Sequence, residues 1–332
     1  MELKNNIWVF IELVEGKPSQ LSLELLGKGR QLADSRNDKL VALLAGKGAA
    51  DAAKDVIGCG ADVAFILTNP ELDVFDSVLY TAAVRSVISK YEANVLLIGA
   101  SHDGRDLGGR LSAAMNLGLV ADCIDCSYEN GDSLTWVRPA YTGKVFVKIL
   151  TTTRPQLATI GERIFRNNIF DPGRTGEVME EAVSLDAPAP TLKVTKFEAL
   201  PPLDPDADIT TADFVVGAGR GVGDEEGLAK VKAFADAIGA PLGVSKPLVD
   251  NGWAPYDQQI GVTGASIQAS IYVALGISGA IQHRLGLKDV GLIIAVNNDP
   301  NAPIFRFAHY GIVGDLFAAL PVLEEELKKL KV

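Results

Sequence analysis

Cysteine is scarce in this chain, with three in 332 residues. That excludes a disulfide scaffold and fits a reducing compartment. Positive charge is in deficit: 31 Lys and Arg stand against 42 Asp and Glu, a formal net charge of −11. The deficit runs through both halves, with 21 basic and 26 acidic residues before position 201, and 10 and 16 after it. A duplex-binding surface needs clustered Lys and Arg to displace counterions, so nucleic acid is not an expected partner. Long apolar runs are missing as well. A membrane span takes about 20 consecutive apolar residues. The stretch Ile271 to Ile281 is too short and holds Gly276, Ser278 and Gly279. The N-terminus shows neither a basic leader nor an Arg-rich amphipathic one, so the expectation is a cytoplasmic, unprocessed chain. Gly and Pro are too few and too scattered for a collagen-like or linker-like protein.

What is present is ordinary globular composition: 48% hydrophobic and 22% charged residues. The length suggests two domains. In the first half, short apolar runs alternate with helical patterns. Ile7–Ile11, Leu40–Leu44, Val63–Leu67 and Val95–Gly99 read as buried strands. Leu21–Ala33, Ala49–Ile57, a helix capped by Asp73 and running to about Tyr91, and Asp106–Met115 read as helices. Continuous apolar strands separated by helices predict a parallel sheet covered on both faces. From Trp136 to Ile160 the pattern changes. Trp136–Arg138 and Lys144–Ile149 flank a Tyr-Thr-Gly turn and predict antiparallel strands added to that sheet.

Residues 186–208 read as a linker. Pro188, Pro190, Pro201, Pro202 and Pro205 mix there with Asp186, Asp204, Asp206 and Asp208, around a short strand-like piece from Leu192 to Phe197. Proline removes backbone donors and like charges repel, so little packing is expected at its flanks. The predicted domains are therefore residues 1–185 and 209–332. The second repeats the alternation. Phe214–Val216 feeds a glycine turn, Asp224 caps a helix through Ile238, and Tyr272–Ala274 and Leu292–Val296 are further strands. Helices from Asp315 to Lys331 close the chain, with Pro321 expected to kink them or open a new one. Glu324, Glu325 and Glu326 precede Lys328 and Lys329, a charge order that suits i,i+4 pairs on a solvated face.

Several features invite chemistry. Gly217, Gly219, Gly221 and Gly223 follow a strand and precede a helix, where backbone N–H groups can approach a phosphate. Their spacing is not the dinucleotide fingerprint, which leaves phosphate binding and a plain turn evenly matched. Arg220 favours an anionic ligand. Residues 271–297 read as a strand, a tight Ser278-Gly279 turn and a helix start carrying Gln282 and His283. There the helix dipole lowers the pKa of the imidazole. Cys123 and Cys126 have the spacing of a dithiol, but Asp122 and Asp125 raise thiol pKa and no further ligands complete a metal site. His102-Asp103 reads as a surface turn, because adjacent residues point apart.

The stretch Ile271–Asn297 resembles the signature of the electron transfer flavoprotein α subunit. Asn297–Phe305, Tyr310–Leu316, Gly99–Arg110 and Leu119–Cys123 resemble further blocks of that family, so the likeness covers nearly the whole chain. It implies an α/β fold of two domains, the second doubly wound and binding FAD. It implies a heterodimer with a β subunit, in which the first domain pairs with that subunit. It also implies electron transfer between a flavin dehydrogenase, such as an acyl-CoA dehydrogenase, and another carrier. Carried over residue by residue, Arg220 and Ser245 match FAD contacts. The loop Gln259, Ile260, Gly261, Val262, Thr263 matches the segment against the isoalloxazine. Ser278, Gly279, Ala280, Ile281 and Gln282 match the pyrophosphate and ribityl cradle. His283 matches the residue bonding flavin O2, and Asn297, Asp315 and Leu316 match contacts to the rest of FAD. No metal and no catalytic residue are implied, only redox tuning by His283, Lys246 and Thr263.

Departures from the family pattern occur at flavin-facing positions. Lys246 stands where Arg is usual, Val262 and Ala265 flank Thr263-Gly264, Ala269 replaces a Pro, and Asn298 and His309 are further changes. They predict a weaker hold on negative charge at the pyrimidine edge of the flavin. Two readings compete with the carrier: a nicotinamide-dependent dehydrogenase, and an interaction subunit without flavin. The first lacks an acidic residue placed for a ribose, since Asp236 falls inside a helix. The second is opposed by the presence of Ser278, Gln282 and His283. Whether the assembly bifurcates electrons is left open by this chain.

Overall fold

The computed structural model describes residues 3–4, 6–141, 145–162, 164–165, 170–185, 208–288 and 290–330. The linker expected at 186–208, with its strand-like piece, falls outside these residues except for Asp208. So do Thr142 and Gly143 of the predicted turn, and Lys144 at the start of the predicted strand after it. The chain divides into two compact units, residues 1–195 and 196–332.

The first unit runs β1 (Ile7–Ile11), β2 (Leu13–Val14), β3 (Lys17–Pro18), α1 (Gln20–Arg36), β4 (Leu40–Ala45), α2 (Ala49–Gly58), β5 (Val63–Thr68), α3 (Ser77–Lys90), β6 (Val95–Gly99) and α4 (His102–Met115). It continues with β7 (Leu119–Cys123), β8 (Asp125–Asn130), β9 (Ser133–Ala140), β10 (Val145–Leu150), β11 (Gln156–Ile160) and β12 (Glu177–Ala182). Seven strands form one sheet in the order β12-β5-β4-β1-β6-β11-β7, and every pairing is parallel. Alternation along β1 explains the layering. Ile7, Val9 and Ile11 pack with Leu25 and Leu26 of α1 and Val56 of α2 on one face. Trp8 and Phe10 pack with Val84 and Val87 of α3 and Leu107 of α4 on the other. A strand buried on both faces reads as an unbroken apolar run, and here the helices of both layers cover it.

Three expectations are corrected. The cap of α3 is Asp76, whose carboxylate accepts from the N–H groups of Val78 and Leu79 at 2.8 and 3.0 Å. Asp73 ends a short 3-10 turn over Pro70–Leu72 instead. Helix α4 begins a turn early, at His102, because the Ser101 hydroxyl accepts from the Gly104 N–H at 2.9 Å. Strands β8, β9 and β10 do not extend the parallel sheet. They form their own antiparallel sheet in the order β10-β9-β8, while β11 returns to pair in parallel with β6 and β7.

The second unit runs β13 (Phe214–Ala218), α5 (Glu225–Ala237), β14 (Leu242–Val244), α6 (Lys246–Asp250), β15 (Ile271–Leu275), α7 (Ile281–Arg284), β16 (Leu292–Asn297), β17 (Tyr310–Val313) and α8 (Leu316–Leu330). Its sheet is parallel, in the order β14-β13-β15-β16-β17. One face carries Val216, Ala218, Val273 and Leu275 and is covered by α5 and α8. The other carries Val215, Tyr272 and Ala274 and meets Ile260, Ile267 and Ile304 from irregular segments. Asp224 caps α5 as expected, accepting from the Gly227 N–H at 2.8 Å. Helix α8 continues through Pro321 as one element rather than restarting there.

Candidate functional site

From β13 the chain moves to β14 on one side, then crosses back to β15 on the other. The sheet therefore has its switch point between β13 and β15, where the following loops part and leave a crevice at the carboxyl ends. Gly219–Arg220 leave β13 there, and Gly276–Ser278 leave β15. The two turns are joined at their backbones: the Gly219 N–H donates to the Leu275 carbonyl at 2.8 Å and the Gly221 N–H to the Gly276 carbonyl at 3.0 Å. Arg220 is exposed, and its guanidinium makes no hydrogen bond or ion pair among the described residues.

The turn after β15 is held open by Gly279. Its φ is +79°, and a Cβ there would lie 2.3 Å from the Ile304 nitrogen. Only glycine adopts this conformation at so close a backbone approach without strain. The Ile304 N–H donates to the Ser278 carbonyl at 2.9 Å, which fixes the turn from outside. Ser278, Ala280, Ile281 and Gln282 are exposed along its rim. His283 is buried at 6% exposure.

The loop Gln259–Thr263 lies against this turn. The Val262 N–H donates to the Gln282 carbonyl at 2.9 Å, and the Ile260 N–H to the Val244 carbonyl at 2.9 Å. Buried Gln259 donates through Nε2 to Thr263 Oγ1 at 3.0 Å. The Tyr256 hydroxyl donates to the Thr263 carbonyl. Gly261 packs against the backbone of Gln282 and His283. Ser245, buried beside this loop, donates its N–H to the Ala218 carbonyl at 2.9 Å and starts α6. Asn297 donates to the Ile277 carbonyl at 2.9 Å. These residues form one connected constellation around the ends of β13, β14, β15 and β16.

Some expected residues stand differently. The Lys246 ammonium is engaged by Asp250 at 2.6 Å on its own helix. The Leu316 side chain belongs to the core, so only its backbone is on offer at the start of α8. Asp315 accepts from the Phe317 N–H at 3.0 Å and caps that helix. Asp236 pairs with Lys232 at 2.9 Å within α5, away from any strand end.

The imidazole of His283 is the chemical centre of the constellation. Nε2 lies 2.9 Å from the Tyr272 hydroxyl. Nδ1 is enclosed and has no well-aligned hydrogen bond among the described residues. Burial pushes its pKa down to about 4, and a hydrogen-bonding approach of the Ile260 backbone to the ring acts the other way. The lowering expected from a helix dipole is found, but its cause is burial: α7 has only four residues. The residue missed by sequence reasoning is Tyr272, which reads as one more apolar position in a strand. Its hydroxyl was the available signal, because a buried phenol needs a partner.

Elsewhere the tempting motifs dissolve. Burial pushes the Cys123 and Cys126 thiols up to about 12. No group of three or more His, Cys, Asp or Glu among the described residues is arranged to hold a metal. His102 and Asp103 are consecutive in the first turn of α4, roughly 100° apart around its axis. No helix among the described residues is long and apolar enough to cross a membrane.

Residues 7–186 match the model of the electron transfer flavoprotein domain, and 208–288 that of the electron transfer flavoprotein FAD-binding domain. The chain is 38% identical over 330 residues to the electron transfer flavoprotein subunit alpha of Thermoanaerobacterium thermosaccharolyticum, covering 98% of both chains. It is 37% identical over 332 residues to Protein FixB of Rhizobium meliloti, covering 98% of this chain and 93% of that one. It is also 35% identical to the acryloyl-CoA reductase electron transfer subunit beta of Anaerotignum propionicum, over 98% and 96% of the two chains.

Proposed function

The chain belongs to the electron transfer flavoprotein α-subunit family, and on that premise we propose that its second unit holds FAD at the β13–β15 switch point. It does so as the α subunit of a heterodimer that passes electrons from a flavin dehydrogenase to another carrier. The observation that carries this reading is His283: a buried, neutral imidazole whose Nδ1 has no well-aligned partner among the described residues, set beside a glycine turn at the carboxyl edge of a parallel sheet. A buried polar atom without a partner costs about 1–3 kcal/mol, which a ligand bond recovers.

The residues present fit the group. Arg220, without a hydrogen bond or ion pair among the described residues, suits its phosphates. The rim Ser278–Gln282 offers backbone and hydroxyl groups to the pyrophosphate. Val262 and Ile281, 57% and 62% exposed, offer apolar surface to a flat ring. Thr263, pinned by Gln259, holds its hydroxyl on the same loop. His283 offers a donor to a carbonyl oxygen of the ring. Bound FAD supplies one- and two-electron chemistry that no side chain here can provide.

A β subunit is the proposed partner of the first unit. Exposed Val145, Phe146 and Leu150 on β10 support an apolar contact surface there. The proposed compartment is the cytoplasm, in keeping with three unpaired cysteines. Whether a second flavin bound by the β subunit makes the assembly bifurcating is decided by that partner's residues.

The test is purification with the β subunit and a flavin count per heterodimer. One FAD lost on replacing His283 and Arg220 together supports the reading. A colourless complex that cannot be reconstituted with FAD, or NAD(P)H oxidation by the isolated chain, would sink it.

A further inference from the structure

Tyr272 leaves β15 on the face covered by irregular segments, among Val215, Ile260, Ile267, Ala274 and Ile304. It is fully buried at 0% exposure. Its ring crosses the neighbouring strand at Gly217, where a Cβ would lie 2.0 Å from the hydroxyl oxygen and 2.5 Å from Cζ. No side chain fits at 217 while the phenol stays where it is. The hydroxyl ends 2.9 Å from His283 Nε2, its one hydrogen bond among the described residues.

Counting protons settles the direction of that bond. A phenol carries one proton and must donate it to avoid burying an unpaired donor. Burial holds this phenol well above its ordinary pKa, so the proton stays on it. The acceptor in reach is Nε2. The neutral ring then carries its own proton on Nδ1, the nitrogen with no well-aligned partner among the described residues.

We propose that Tyr272 is a positioning residue: it fixes the orientation and tautomer of His283 so that Nδ1–H is the donor offered to the bound ligand, and Gly217 exists to let it reach. A metal-bound histidine is set in the same way by whatever holds its second nitrogen. This rests on the proposed flavin site only for the identity of the ligand. The Tyr272–His283 pair is a property of the protein alone.

The experiment separates the two. In the whole chain labelled with 15N-histidine, long-range 1H–15N correlations distinguish a ring protonated at Nδ1 from one protonated at Nε2. His283→Gln identifies the signal among the three histidines. The expected result is Nδ1–H in the wild type, without any cofactor, and a mixture of tautomers in Tyr272→Phe. FAD should then bind Tyr272→Phe about tenfold more weakly, the loss of one oriented hydrogen bond. An Nε2–H wild type overturns the proposal, even if the variant fails to fold. So does a Tyr272→Phe protein that keeps Nδ1–H and full FAD affinity. A wild type with Nδ1–H that binds no FAD would defeat the flavin reading and leave the positioning role standing.

Discussion

Folding of the second unit shuts out a proton that the unfolded chain binds. His283 has its pKa pushed down to about 4 by burial, against about 6.5 in an open chain. Between those values the unfolded state holds more protons, so stability rises with pH through that window and falls as acid is added. Below the folded pKa both states are protonated and the loss is complete. Its size is of order 3 kcal/mol. Denaturant unfolding at pH 7 and pH 4.5 should show a larger loss for the wild type than for His283→Gln; equal losses would mean the imidazole is not buried and neutral. At this scale the sequence reveals side chains whose chemistry is unusual for their place, such as Arg220, Gln282 and His283. It conceals those whose role depends on an approach across strands. Tyr272 follows Ile271 and precedes Val273, and nothing local distinguishes it from a core residue. Lys246 is concealed for another reason: the sequence shows a cation, but only the helix geometry gives it to Asp250.

Helix α3 shows how a single cap sets a boundary. Asp73 and Asp76 both precede its apolar run, and the spacing alone does not choose between them. The structure does, because Asn69 and Pro70 start a 3-10 turn that ends at Asp73 and leaves Asp76 facing the open N–H groups of Val78 and Leu79. Replacing Asp76 with Ala should cost about 1 kcal/mol, the usual worth of an N-cap. Replacing Asp73 should stay within about 0.5 kcal/mol. Denaturation midpoints of the two variants decide it, and a reversed order would place the cap wrongly. The same scale shows why some strands could be read and others could not. β1, β4, β5 and β6 are buried on both faces and appear as unbroken apolar runs. β12, reading Glu177–Ala182, is largely exposed at the sheet edge and carries three glutamates, so its pattern resembles a loop. The antiparallel pair flanking the Tyr-Thr-Gly turn is legible in the sequence, but which sheet those strands join is not.

For the molecule as a whole, the decisive fact is that each unit has its own buried core. Ile7–Ile11 and its neighbours fill two layers in the first. Val215, Val216, Tyr272 and Val273 help fill two others in the second. A ligand stabilises the cooperative unit to which it binds, by about 2.7 kcal/mol when present at a hundred times its dissociation constant. Units that open separately are not obliged to share that gain. If FAD sits at the β13–β15 switch point, its protection against hydrogen exchange should concentrate in residues 217–223, 259–264 and 276–283. These are the turns whose backbones already bond to one another through Gly219, Gly221 and Val262. Peptides from β1, β4, β5 and β6 should exchange at unchanged rates. The comparison is made on the full chain with and without saturating FAD. Protection centred on the first unit would move the flavin to another sheet, and protection spread evenly over both would mean that the two cores open as one.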